Sequence, residues 1–222
     1  MSALDSRALT SLDCFGQRFS APGRTRYTVG GPLAACVETD ELPFSITVRR
    51  PDDNSAQRQH DVEVRHARGG FTVATPQLEI AAGDVVIWHA AAAGTPPYGV
   101  WGLDESDGTF SSAALRDAAF YGHVFGAAGE YAWQDANGGT ACGVVRVRDV
   151  DSRDRKACER WREELKEGSI VAVEGGKVEP AELSVVVGQT VLFAVAGSEG
   201  LAITDASLIR LSQCPATSQP PA

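Results

Sequence analysis

The sequence predicts an all-β fold: two β-sandwiches and one linking α-helix. Three observations predict it. Short apolar runs alternate with polar residues and are punctuated by Gly, Pro and Asp, the pattern of half-buried strands in sandwiches and barrels. A single segment carries helical rather than alternating periodicity. The strand-like segments also occur twice, about one hundred residues apart.

The strand signals come in order. VEVRH at 62–66 alternates, and LEIAAGDVVIWHA at 78–90 alternates on both sides of the turn Ala82-Gly83-Asp84. YAW at 131–133 and GVVRVRD at 143–149 do the same. Between Asp154 and Glu167, DRKACERWREELKE places Ala157, Trp161 and Leu165 four residues apart, and Gly168 follows as a stop. That spacing predicts an amphipathic helix over 154–167. The tail QCPATSQPPA is predicted to be disordered from 213 to 222.

The repeat has two parts. FGQRFSAPG at 15–23 and YGHVFGAAG at 121–129 share a frame at an offset of 106, and Ala35-Cys36 matches Ala141-Cys142 at the same offset. LEIAAGDVVIW at 78–88 and LSVVVGQTVLF at 183–193 match at an offset of 105, with Trp88 opposite Phe193. The middle of the chain therefore matches both ends. This predicts a complete module at 60–150. A second module is predicted from 10–50 together with 169–212, in permuted order or by strand exchange between two chains, and 154–167 links the two. Half a sandwich leaves open sheet edges and half a core, so each end needs the other. Closure within one chain is the favoured form; exchange would give a homo-oligomer.

Composition narrows the function. The chain has 222 residues, with 20 Lys+Arg against 29 Asp+Glu and a net charge of −9. An acidic chain without a basic stripe repels phosphate backbones, so nucleic acid is not an expected partner. No apolar run reaches the ~20 residues of a membrane-spanning helix. MSALDSRALTSLDCFG lacks the charged start and apolar stretch of a secretory signal, which predicts a cytoplasmic protein. Five cysteines (Cys14, Cys36, Cys142, Cys158, Cys214) are scattered without a CxxC pair, and are read as reduced, mostly buried thiols.

Several ordered segments together resemble the cupredoxin family, the fold of small blue copper proteins. GGFTVATPQLEIAAGDVVIW at 69–88 is similar to that family's opening strands, with a Gly-Asp turn leading into a Val-x-Trp strand. FSSAALRDAAFYGHVFGAAGEYAW at 110–133 resembles its Phe-x-Ser segment and its Gly-x-Tyr-x-aromatic stretch, and TACGVVRV at 140–147 its closing strand. The match runs from Val62 to Arg148. It implies cupredoxin-like Greek-key sandwiches, and copper held by a Cys, two His and a Met; thiolate and imidazole suit copper, and a weak thioether tunes its potential. The positions the resemblance assigns to those ligands hold Tyr98, Asp135, Gly138 and Ala141. Leu201 falls near the first His position of the second copy. No cofactor or metal is therefore expected.

The other chemistry-bearing residues have structural readings. His60, His66, His89 and His123 are the four histidines. His89 and His66 are a conceivable two-His surface site, with solvated imidazoles as the plainer reading. His123 matches Gln17 in the repeat, which points to a tolerant polar position. Asp104, Glu105 and Asp107 in LDESDGTF lack the alternating ligands and closing Glu of a calcium loop, and are read as a solvated acidic turn. Tyr98 and Asp135 are expected to meet as a hydrogen-bonded clasp in place of a metal. Gly-x-Ser-x-Gly is absent, and Gly69-Gly70 and Gly175-Gly176 are read as hairpin turns. The expected function is a copper-free, non-catalytic binding or assembly module with a protein partner. The alternatives are a copper-binding electron-transfer protein and an accessory subunit of a redox enzyme.

Overall fold

A computed structural model describes residues 4–35, 41–51, 56–104 and 108–209. The chain is all-β with a single α-helix among these residues. Nine strands come from the first half: β1 (Asp13–Arg18), β2 (Gly23–Gly30), β3 (Phe44–Arg49), β4 (Gln59–Ala67), β5 (Gly70–Val73), β6 (Gln77–Ala81), β7 (Val85–Ala90), β8 (Gly99–Asp104) and β9 (Gly108–Ser111). The second half forms β10 (Ala119–Val124), β11 (Gly129–Asp135), β12 (Cys142–Arg148), α1 (Arg155–Glu164), β13 (Ser169–Glu174), β14 (Lys177–Glu179), β15 (Glu182–Val186), β16 (Thr190–Ala196) and β17 (Ile203–Asp205).

These strands form three sheets, ordered β14-β13-β16-β10-β1-β7-β4-β5, β15-β12-β11-β17 and β6-β3-β2-β8-β9. The first sheet joins two like halves, β5-β4-β7-β1 and β14-β13-β16-β10. Each half is built with a parallel pair, β4 on β7 and β13 on β16. The second and third sheets repeat the same order, with β12 beside β15 and β3 beside β6. The corner hydrogen bonds repeat as well: Gly83 N to Phe19 O at 2.7 Å, and Gly188 N to Phe125 O at 2.8 Å. The chain is thus a tandem repeat, about 13–111 followed by 119–205.

This corrects the grouping expected from the sequence. Strands of 10–50 pair with strands of 59–111, not with those of 169–212. Strands of 119–148 pair with those of 169–205 rather than completing 60–150. The reason lies in one seam. β1 and β10 carry the two repeated FGxxF-type segments and pair antiparallel, with Phe15 opposite Tyr121. Each offers nearly the same edge, so sequence likeness does not say which one sits beside β7. The structure seats β1 there and β10 beside β16. The expected linking helix is corrected with them. α1 lies between β12 and β13, inside the second repeat.

Large rings fill the space between facing sheets. Trp88 of β7 stacks on Phe15 of β1 at 5.4 Å and on Phe110 of β9 at 5.7 Å. Tyr27 of β2 meets it edge-on at 5.4 Å. In the second repeat Phe193 takes the place of Trp88, against Tyr121 at 5.9 Å and Trp133 at 5.2 Å. Burial of such rings is the main favourable term in a β-core. The hairpin reading of Gly175-Gly176 holds: both have positive φ, 54° and 82°, where β13 turns into β14. No described helix is long and apolar enough to cross a membrane.

The N-terminal residues complete the second repeat. Ser6 N donates to Ile203 O at 2.9 Å, and Asp205 N to Leu4 O at 2.6 Å. Asp5 bridges Thr204 as Ser111 of β9 bridges Trp101 of β8. Leu4–Ser6 thus occupies beside β17 the seat that β9 holds beside β8. The strap then crosses to the first repeat, where Leu9 and Tyr98 exchange backbone hydrogen bonds of 2.7 and 2.9 Å. Leu115 and Leu201 make the equivalent pair in the second repeat.

Candidate functional site

The seam between the repeats holds the most concentrated buried polar chemistry of the described residues. The β1–β10 register sets Asp13 opposite His123. His123 Nδ1 lies 2.6 Å from Asp13 Oδ1, with the two side chains 1% and 0% exposed. Tyr121 Oη donates to the same oxygen at 2.5 Å. Asp13 Oδ2 accepts from Thr10 N at 2.7 Å and Thr10 Oγ1 at 2.5 Å. Asp5 N donates to Tyr121 Oη at 3.2 Å. The cluster therefore ties the strap to both repeats. Burial, and then the charge of Asp13, push the Tyr121 phenol well above its usual range. The same two causes push Tyr98 far up and Cys14 to about 11. These groups stay protonated at neutral pH, and the sealed carboxylate works as a brace. His123, read from the sequence as a tolerant polar position, is instead a core residue.

The other histidines are placed apart. His60 Nε2 lies 2.8 Å from Asp84 Oδ2, and Asp84 also accepts from Arg58 N at 2.8 Å and Ala81 N at 3.1 Å. Burial raises the Asp84 carboxyl, but His60 and these amides outweigh it and leave the group below its usual range. His89 sits opposite Glu63 and Cys14, on the strand face away from Trp88. His66 sits opposite Phe71, ring centroids 4.8 Å apart, with the parity of Val62 and Val64. The two rings are on opposite faces, so they do not form a joint site. Among the described residues no three His, Cys, Asp or Glu side chains gather for a metal ion.

The expected Tyr98–Asp135 clasp is not formed. Tyr98 is fully buried in the first repeat, and its hydroxyl has no hydrogen-bond partner. Asp135 belongs to β11 of the second repeat, where its carboxylate accepts three backbone amides. Asn137 N and Ala202 N reach Oδ1 at 2.9 Å each, and Gly139 N reaches Oδ2 at 3.0 Å. Asn137 Nδ2 donates on to Ala113 O at 2.9 Å and Gly200 O at 3.0 Å. One side chain thus pins the 137–139 loop against residues 200–202. Asp104 of the acidic turn is buried and accepts from Thr25 Oγ1 at 2.8 Å. Cys14, Cys142 and Cys158 are free thiols, half-buried rather than buried. Glu105, Asp107, Cys36, Cys214 and the tail 213–222 lie outside the described residues.

Open clefts lie among the described residues, including one of about 270 Å³ beside Arg49, Arg58 and Asp84. Another of about 520 Å³ lies between the 137–141 and 197–201 loops. One of about 370 Å³ lies at the junction of the repeats, beside Arg18 and Arg116. Sequence reasoning missed the Asp13–His123 pair and these arginines. A signal existed: two copies of one strand, paired antiparallel about Phe15 and Tyr121, bring position 13 against position 123. No protein-family model, curated protein or solved structure matches this chain.

Proposed function

We propose that this chain is a copper-free, cupredoxin-like binding or assembly module that performs no catalysis. The observation that carries the reading is the use made of Asp135. Its carboxylate stands where the family resemblance places the copper thiolate, and it is saturated by three backbone amides. The group that would donate to a metal instead closes the loop. Tyr98, at the first His position of that resemblance, is sealed in the core. The fused eight-stranded sheet leaves an outer face with apolar residues, Ile170 being 59% exposed, which suits a protein partner.

Adding Cu(II) to the purified protein while recording visible absorption and bound-metal stoichiometry tests the reading. No intense thiolate-to-copper band is expected. Such a band, with one copper bound per chain, would overturn the copper-free reading and favour an electron-transfer protein.

A further inference from the structure

We propose that the cleft between the two repeats is a binding site for a small organic oxyanion, a carboxylate or phosphate, held by Arg18 and Arg116. The argument starts from the pseudo-twofold relation at the seam. Turning the structure about the Phe15–Tyr121 pair exchanges the pair Asp13–His123 with the pair Ala119–Gln17. On one side the pair is a carboxylate and an imidazole, capped by Thr10, and the space is closed. On the other side Ala119 has no carboxylate, and Arg116 stands at the position equivalent to Thr10 by the offset of 106. The space there stays open as the cleft of about 370 Å³. Sites at the junction of two units are a common place for small ligands.

The charges of the cleft are unevenly engaged. Arg18 and Arg116 are exposed, and among the described residues neither guanidinium is in an ion pair or hydrogen bond. Asp117, also on the wall, turns its carboxylate to Gly197 N of the second repeat. Asp104 is buried and accepts from Thr25. Both acidic groups accept from internal donors, while among the described residues the two guanidiniums on the cleft wall have no ion-pair or hydrogen-bond partner, in a chain of net charge −9. A guanidinium presents a planar fork of donors matched to carboxylate and phosphate oxygens. Ser20, Thr109 and Ser198 add hydroxyls to the wall.

The backbone at the wall is strained as well. Ala118 has φ of 63°, a left-handed conformation that is unfavourable for a residue with a Cβ. It directs Ala118 O to Arg18 N at 3.0 Å, and the neighbouring Asp117 O to Gln17 Nε2 at 3.2 Å. Strain retained at a cleft is a feature of ligand sites.

The inference goes beyond the binding-module reading, because the cleft is separate from the sheet face proposed for a protein partner. Its test is titration of the whole chain with inorganic phosphate and, separately, succinate at low ionic strength, followed by amide chemical shifts. Saturable shifts at Arg18, Thr109, Ala118 and Ser198 are expected with at least one anion. Which anion saturates separates a phosphate site from a carboxylate site. Arg18→Gln and Arg116→Gln should each weaken that binding by about tenfold or more. Absence of saturation with both anions, or a smaller loss in either variant, overturns the site. A silent anion titration leaves the copper-free reading standing, and a copper band would leave the anion result standing.

Discussion

Asp13 receives four contacts through two oxygens, from Tyr121, His123 and the amide and hydroxyl of Thr10. Leaving buried donors unsatisfied costs about 1–3 kcal/mol, so Asp13→Asn should lower stability by at least that range in urea unfolding. Asp84 gives a pH dependence with a definite sign. Its folded carboxyl lies below the usual value, so its contribution is present above the unfolded carboxylate pKa, about 4. That contribution is lost as pH falls through the lower folded value. Urea midpoints taken from neutral pH downward should fall more steeply for the wild type than for Asp84→Asn. Gly143 marks a close approach. A Cβ there would lie 2.7 Å from Ala181 O and 3.0 Å from Trp133 Nε1. Gly143→Ala should cost about 1–3 kcal/mol, because a backbone carbonyl must give way.

At the scale of elements, α1 shows how local and tertiary signals divide. Asp154 caps it by accepting Lys156 N at 2.8 Å. Trp161 Nε1 donates to Val187 O at 2.8 Å, and Leu165 covers Gly188. The helix therefore seals the β15–β16 turn and does not link two units. Trp161→Phe removes the donor and also shrinks the indole to a phenyl, so a loss of about 1–3 kcal/mol is expected in thermal or urea unfolding. The Arg148–Glu164 pair at 3.0 Å is exposed on both sides and contributes little. The helix itself was legible from Ala157, Trp161 and Leu165. Its seat was not, because the turn it covers lies more than twenty residues downstream.

For the whole molecule, the continuous β16-β10-β1-β7 ladder makes the repeats one body at the seam. Unfolding should follow a single transition, with ring fluorescence, far-ultraviolet dichroism and calorimetry coinciding. Two separated transitions would show that the seam is weak. The strap enters the same ledger. Leu9 is fully buried and Leu4 nearly so, and Leu9→Ala should lower stability by about 2–5 kcal/mol. Alternation and the repeat determined the all-β class, the strands at 62–66, 78–90, 131–133 and 143–149, and the equivalence of Trp88 with Phe193. Those properties depend on residues two or four apart, or on likeness between copies. Which copy each strand joins, the burial of Asp13 against His123, and the open cleft beside Arg18 were decided only by the tertiary structure. β1 and β10 offer nearly the same edge, so their seats follow from packing the whole chain, strap included, and not from either strand's own sequence.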